Sequence, residues 1–129
     1  MNIVGKRVAY ITLGCKLNFS ETSTIKHNLE QEGAVTVGEK DGADIFVINT
    51  CSVTDIAEKK GRQMIRKIIH RNPGSYIVVV GCYAQLRAQE IMNIEGVHLV
   101  LNARDKFNVA HYLNHLEEQE RHEPHSCDI

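Results

Sequence analysis

Three of the four cysteines in this chain stand directly after short apolar runs. They are Cys15 after residues 8–13 and a glycine, Cys51 after residues 44–50, and Cys82 after residues 76–80 and a glycine. Runs of this kind, without polar alternation, are typical of parallel strands covered on both faces. The carboxyl ends of such strands meet at one edge of the sheet, where α/β folds keep their sites. The sequence therefore predicts that three thiols converge at that edge.

The spacing and surroundings of these cysteines indicate which chemistry they support. The intervals of 36 and 31 residues do not form a Cys-x-x-Cys zinc signature. A helical pattern begins close behind each cysteine, and the free N–H groups and dipole of a helix N-terminus stabilise a thiolate. Three thiolates with one open position suit an iron–sulfur cluster better than a closed structural zinc site. A cysteine-based zinc or thiol structural domain, and cysteines that are merely small core residues, remain as alternatives.

The elements that must position the cysteines follow from hydrophobic periodicity and turn residues. We predict five strands, at 7–13, 34–37, 44–50, 76–80 and 97–101. We predict four helices, at 21–31 with Ser20 as N-cap, 54–71, 84–92, and from 105 or 108 to about 120. Right-handed crossovers then give an α/β, flavodoxin-like three-layer sandwich with a five-stranded parallel sheet in the order 2-1-3-4-5. In that order, the three strands that precede cysteines are neighbours.

The bulk composition is that of an ordinary globular domain. The chain has 129 residues, of which 43% are hydrophobic and 24% charged, with a formal net charge of −1. It carries no apolar run near the roughly 20 residues that span a bilayer, and its start has no signal-peptide pattern. We therefore expect a cytoplasmic protein with reduced thiols and neither membrane nor DNA as a partner.

Three sequence blocks carry a resemblance to a known family. The blocks are residues 12–18 with Glu21, residues 49–53 with Ala57, Lys60, Arg62 and Gln63, and residues 81–85. Over about residues 8–118, the chain resembles the N-terminal domain of the methylthiotransferases, which are radical S-adenosylmethionine enzymes. The first block, Gly-Cys-Lys-Leu-Asn, is most similar to the subgroup that modifies threonylcarbamoyladenosine next to the tRNA anticodon. The subgroups that act on isopentenyladenosine in tRNA or on a ribosomal protein are the alternatives.

The resemblance implies a cofactor and its ligands. Cys15, Cys51 and Cys82 match the cysteines that hold an auxiliary 4Fe–4S cluster with one open iron for the transferred sulfur. The family's catalytic domain binds S-adenosylmethionine and a second 4Fe–4S cluster through a Cys-x-x-x-Cys-x-x-Cys motif, which this chain lacks. We thus expect a domain over residues 1–118, a linker over 119–129 to a radical S-adenosylmethionine domain, no catalytic residue in this chain, and no activity from it alone.

Further side chains around the three blocks are candidates for a supporting role. Six residues are predicted to orient the cluster or to contact tRNA: Lys16, Asn18, Asn49, Lys60, Arg62 and Gln85. The helix predicted over 54–71 is rich in Lys and Arg, and its basic face is predicted either to meet tRNA phosphates or to be an ordinary solvated surface. Cys127 lies with His122 and His125 in the polar tail, and we expect it to stay outside the cluster.

Overall fold

The computed structural model describes residues 3–14, 16–50, 55–81, 88–101 and 106–114 of the chain. The strands in these ranges are β1 (Arg7–Thr12), β2 (Val35–Thr36), β3 (Ile45–Thr50), β4 (Tyr76–Gly81) and β5 (Leu99–Leu101). The helices are α1 (Lys16–Gln31), α2 (Asp55–Arg71), α3 (Ala88–Met92) and α4 (Val109–Asn114), with a 3₁₀ turn at Lys106–Asn108 before α4. Elements alternate between strand and helix except between β2 and β3.

The central strands are buried on both faces because their apolar residues do not alternate with polar ones. Every residue of β3 and β4 is buried. Successive side chains point to opposite faces of a sheet. Phe46 and Ile48 accordingly join one apolar cluster, whereas Ile45 and Val47 join another. The continuous apolar run thus supplies two cores at once.

The sheet is parallel throughout, with the strand order β2-β1-β3-β4-β5 that the sequence predicted. Val8 pairs with Ile45, which in turn pairs with Tyr76, so the three central strands start level with one another. The connection from β2 to β3 needs no helix because β2 is only two residues long. The backbone N–H of Asp44 donates to the Arg7 carbonyl at 2.8 Å and holds the end of that connection against β1.

Helices cover both faces of the sheet and complete the predicted three layers. Residues of α2 and α3 pack with Phe46 and Val79 in one cluster. Residues of α1 and α4 pack with Val47 and Val78 in the other. In the part of the chain that the structure describes, no helix combines the length and apolarity needed to cross a membrane.

Helix α1 differs from its prediction at the N-terminal end. Ser20 was predicted as the N-cap, but the helix begins four residues earlier, at Lys16, and Ser20 lies inside it. The buried residues of α1 are Asn18, Thr22, Ile25 and Leu29. They follow one helical stripe at intervals of four, three and four residues. The first half of that stripe is polar, so apolar periodicity detects only its second half.

The remaining differences concern the ends of elements. Strand β5 begins two residues later than predicted, and α3 is described only from Ala88. Strand β2 has two residues of the four predicted. The predicted first residues of α3 and the last residues of α4 lie outside the described ranges.

Two leucines on α1 provide a test of this packing. Leu29 is fully buried, whereas the Leu17 side chain is 65% exposed on the same helix. We expect Leu29→Ala to lower the free energy of unfolding by about 3 kcal/mol, because it leaves a cavity in the core. Leu17→Ala, the matched control, is expected to change it by less than about 0.5 kcal/mol. Urea denaturation measures both, and equal effects would show that α1 does not pack as described.

Candidate metal centre at the carboxyl edge of the sheet

The strands that precede the three cysteines end side by side. Thr12 of β1 pairs with Asn49 of β3, and Thr50 of β3 pairs with Gly81 of β4. Neighbouring strands lie about 4.8 Å apart, so the carboxyl ends of these three strands are close together. The cysteines themselves, Gln85 and the Cys127 tail lie outside the described residues. The positions of their sulfur atoms therefore stay a prediction.

Buried polar side chains concentrate at this edge. Among the residues that the structure describes, the buried polar side chains are Asn18, Thr22, Asn49 and Thr50. Two of them end β3 and two lie in the first turns of α1. A buried amide or hydroxyl is tolerated only when it is hydrogen-bonded. The hydrogen-bond partners of these four side chains therefore determine how the strand ends are connected at this edge.

Asn49 and Asn18 connect the end of β3 to the start of α1. The Asn49 Nδ2 donates to the Asn18 carbonyl at 2.9 Å and to Thr22 Oγ1 at 3.2 Å. The Asn18 Nδ2 donates in return to the Thr50 carbonyl at 3.0 Å. Thr22 Oγ1 accepts a further bond from Thr12 Oγ1 at 2.8 Å and donates to the Asn18 carbonyl at 3.0 Å. These bonds join the segment just after Cys15 to the segment just before Cys51.

Thr50 and Gly81 join the segment before Cys82 to the same network. The Thr50 hydroxyl donates to the Val80 carbonyl at 2.8 Å. Gly81 has φ of +107°, a conformation that side chains of L-residues rarely adopt. A Cβ at this position would lie 2.6 Å from Asn49 Oδ1 and 2.6 Å from the Thr50 carbonyl oxygen. The chain therefore passes against Asn49 immediately before Cys82, and only glycine leaves room for it.

The start of α1 adds a favourable electrostatic environment. Helix α1 begins at Lys16, the residue after Cys15, so the free N–H groups of a 16-residue helix lie next to that cysteine. These N–H groups and the exposed Lys16 favour a negative charge at this point. Helix α2 begins at Asp55, four residues after Cys51, at the same edge. The described neighbours of Cys15 thus suit a thiolate, whereas the first described residue of α2 is itself an acid.

The other predicted site residues occupy different environments. Asn18 and Asn49 are buried in the network, whereas Lys60 is exposed on α2. The Arg62 Nη1 donates to Glu90 Oε1 at 2.9 Å and ties α2 to α3. Roles of these residues in orienting a cluster or binding RNA stay predictions.

The sequence did not predict Thr22 and Thr50 as site residues. Thr22 lies one helical turn after Asn18, and Thr50 directly precedes Cys51. The signal that could have identified Thr22 is its position one turn after Asn18, but the predicted helix began only at residue 21 and left Asn18 outside it. The signal for Thr50 is its position next to Cys51.

The donor set fits the predicted metal chemistry. The described residues contain no group of three or more His, Cys, Asp or Glu side chains that would hold a metal ion. The predicted ligands are the cysteines, which lie outside the described residues. Thiolates are soft donors that favour iron–sulfur clusters and zinc over magnesium or calcium. Cys15, Cys51 and Cys82 are the residues that would hold such a centre.

A protein-family model and curated proteins both match this chain. The model of the uncharacterized protein family UPF0004 matches residues 7–102, which include all five strands. A threonylcarbamoyladenosine tRNA methylthiotransferase of Bacillus subtilis is 42% identical over 112 residues, which are 87% of this chain and 25% of that protein. The enzyme of that name from Aquifex aeolicus is 38% identical over 116 residues, 89% of this chain and 28% of that protein.

A more distant match comes from outside the tRNA enzymes. A ribosomal protein uS12 methylthiotransferase of a Roseiflexus species is 29% identical over 110 residues, 84% of this chain and 23% of that protein. The chain thus spans about a quarter of the length of the curated relatives it matches. The resemblance to methylthiotransferases that the three sequence blocks indicated is confirmed.

Asn49 provides the first test of the network. We expect Asn49→Ala to lower the free energy of unfolding by about 2 kcal/mol, because the Asn18 carbonyl and Thr22 Oγ1 each lose a buried donor. Asn93→Ala is the matched control, since its amide oxygen accepts only an exposed bond from Gln89. Chemical denaturation of both variants measures the difference. If Asn49→Ala were as stable as Asn93→Ala, the amide network would not hold this edge together.

Gly81 provides a second and independent test. Gly81→Ala and Gly74→Ala both place a side chain at positive φ, but a Cβ at position 74 has no other atom within 4 Å. Both variants therefore carry the backbone strain of a positive φ, and only Gly81→Ala adds a collision with Asn49 and Thr50. We expect Gly81→Ala to be the less stable by about 2 kcal/mol in thermal or urea unfolding. Equal stability would mean that the chain before Cys82 is not confined against Asn49.

Proposed function

Since this chain belongs to the uncharacterized protein family UPF0004, we propose that it is the N-terminal domain of a tRNA methylthiotransferase. Its substrate in the whole enzyme is threonylcarbamoyladenosine next to the tRNA anticodon, and the added group is methylthio. The observation that carries this proposal is the edge at which β1, β3 and β4 end together. Its support is the 42% identity to an enzyme of that name.

In this proposal Cys15, Cys51 and Cys82 hold an auxiliary 4Fe–4S cluster. Three cysteine ligands leave one iron open, and that iron supplies a binding position for the sulfur to be transferred. The part played by this chain is to keep the three thiolates at a spacing that matches one cluster. The hydrogen bonds from the Asn49 side chain to the Asn18 carbonyl and from the Asn18 side chain to the Thr50 carbonyl hold the segment after Cys15 against the segment before Cys51.

The same edge is also suited to docking a second domain. Three large apolar side chains lie exposed in the first turns of α1 and α2, namely Leu17 at 65%, Phe19 at 57% and Ile56 at 68%. Leu17 and Phe19 belong to the α1 layer and Ile56 to the α2 layer, so they flank this edge on opposite faces of the sheet. Large exposed apolar side chains beside a site are a mark of a protein contact. We propose that they face the enzyme's radical S-adenosylmethionine domain, which binds S-adenosylmethionine and a second 4Fe–4S cluster. The whole enzyme would then act on tRNA in the cytoplasm.

Two observations favour this function over its alternatives. The match to a ribosomal-protein methylthiotransferase, at 29% identity, is weaker than the matches to the threonylcarbamoyladenosine enzymes. The same order of identity disfavours an isopentenyladenosine enzyme, since one matches at 33% over 92 residues. A structural domain would use the same cysteines to bind zinc or would keep them as thiols, so the metal content distinguishes it from a domain that holds an iron–sulfur cluster.

Anaerobic reconstitution of the 129-residue chain with iron and sulfide tests the proposal. We expect about four iron atoms per chain and the visible absorbance of a 4Fe–4S cluster. Cys51→Ala should bind less than half of that iron, because two cysteines do not hold the cluster. Cys127→Ala is the matched control, and it should bind as much iron as the unchanged chain.

Two results would contradict the proposal. Tight binding of zinc with no iron retained would favour the structural alternative. Equal loss of iron in the Cys51→Ala and Cys127→Ala variants would show that the metal does not belong to the three strand ends.

A further inference from the structure

Helix α2 carries a concentration of positive charge that its own stability does not explain. Six of its 17 residues are Lys or Arg and two are Asp or Glu, whereas the whole chain has a formal net charge of −1. Lys67 and Arg71 are four residues apart, where like charges repel and destabilise a helix. The helix dipole favours Arg71 in the last turn, but it gives no advantage to Lys59 or Lys60 near the other end.

These cations share one exposed face. Lys60, Lys67 and Arg71 recur at intervals of seven and four residues, which places them on one stripe of the helix. Lys59 and Arg66 form the adjacent stripe. All five side chains are exposed, while Ile65 and Ile68 on the opposite side of α2 are buried. We call the five cations the basic face. It extends over about 18 Å along the helix axis, at 1.5 Å per residue.

In the described part of the chain, no acidic side chain neutralises the five cations of the basic face. Arg62 lies on the same stripe as Lys59 and Arg66, but Glu90 neutralises it, so it is not counted among the five. Within the described ranges, none of the five cations forms a hydrogen bond or an ion pair with another described residue. Their positive charge is therefore available to a partner outside this fold.

A pocket of about 240 Å³ lies at the C-terminal end of the basic face. Lys67 and Arg71 line it from α2, and Lys40 lines it from the connection between β2 and β3. Glu39 is the one carboxylate among its lining residues. Three cations around a concave surface suit a phosphate group, to which an arginine donates through two N–H groups and a lysine contributes a point charge.

The pocket lies at the opposite edge of the sheet from the cysteines. Helix α2 begins at the cysteine edge and runs back to the amino ends of the strands, about 24 Å away. A phosphate in the pocket would thus be several nucleotides from a base held at the cysteine edge. This separation fits an RNA backbone that runs along the layer formed by α2.

We propose that the basic face of α2 and the pocket at its end bind the phosphate backbone of the RNA substrate. This inference rests on the proposed function for the identity of the partner as RNA. It assigns the α2 layer to RNA binding, and it leaves the α1 layer on the other side of the sheet free of that role.

Binding of a fluorescein-labelled anticodon stem-loop RNA to the 129-residue chain tests this assignment by fluorescence anisotropy. The test variant is Lys67→Glu, which places an acid four residues before Arg71, where the two form a favourable helix pair. The variant therefore keeps α2 folded while it neutralises two cations of the pocket. The matched control is Lys26→Glu, the same charge change on α1.

We expect Lys67→Glu to weaken RNA binding about tenfold at low salt. The slope of log affinity against log salt concentration should become shallower by about 1.5, because two phosphate contacts are lost. Lys26→Glu should bind within about twofold of the unchanged chain, since only the overall charge is altered. Glu39→Gln should bind more tightly, because it removes the carboxylate from the pocket.

Several outcomes would overturn the assignment. Equal weakening of RNA binding in Lys67→Glu and Lys26→Glu would show that only the net charge of the chain matters. If the unchanged chain did not bind the RNA at low salt, the assignment would be wrong. Tighter binding of poly-glutamate than of RNA would identify an acidic protein as the partner. Iron content in the reconstitution experiment reports separately on the proposed function. If Lys67→Glu had normal iron content and normal RNA binding, the assignment of the RNA-binding surface would be wrong while the proposed function would stand.

Discussion

The hydrogen bonds between Asn49 and Asn18 are the interaction on which the carboxyl edge depends. They connect a side chain at the end of β3 to the first turn of α1, across 31 residues of sequence. Both side chains are buried, so each bond is protected from competition with water, and each missing partner would leave a costly unpaired group. The network therefore specifies one arrangement of the strand ends, whereas the apolar cores on either side specify only that the layers pack.

Most of the fold was predictable because its central strands contain continuous apolar runs. Residues 44–50 and 76–80 have no polar alternation, and a run of that kind fits only a strand covered on both faces. Helices between the strands then required parallel pairing and right-handed crossovers, which led to the strand order observed. The prediction that the three cysteines share one edge rests on that order, because the strands before them are neighbours.

The parts that were not predictable depend on polar contacts between distant residues. The predicted helix began at residue 21 with Ser20 as N-cap, which left Asn18 in the turn before the helix and put Thr22 in its first turn. In the fold they are the buried beginning of the helical stripe, since Asn49 and Thr50 supply their partners. Thr22 and Thr50 were missed as site residues for the same reason. The basic face was visible as composition, but the pocket that includes Lys40 exists only after β2 and β3 are brought beside α2.

The pairing of Thr50 with Gly81 limits the insertions and deletions that this domain tolerates. Side chains of a strand alternate between two faces, so the insertion or deletion of one residue in β3 would turn Asn49 away from Asn18 and exchange the two apolar clusters. The same change in the exposed turn at 38–42 would leave every one of those contacts in place, because that turn lies before β3 begins. Related chains should therefore vary in length between β2 and β3 and keep an invariant number of residues from the start of β3 to Cys51.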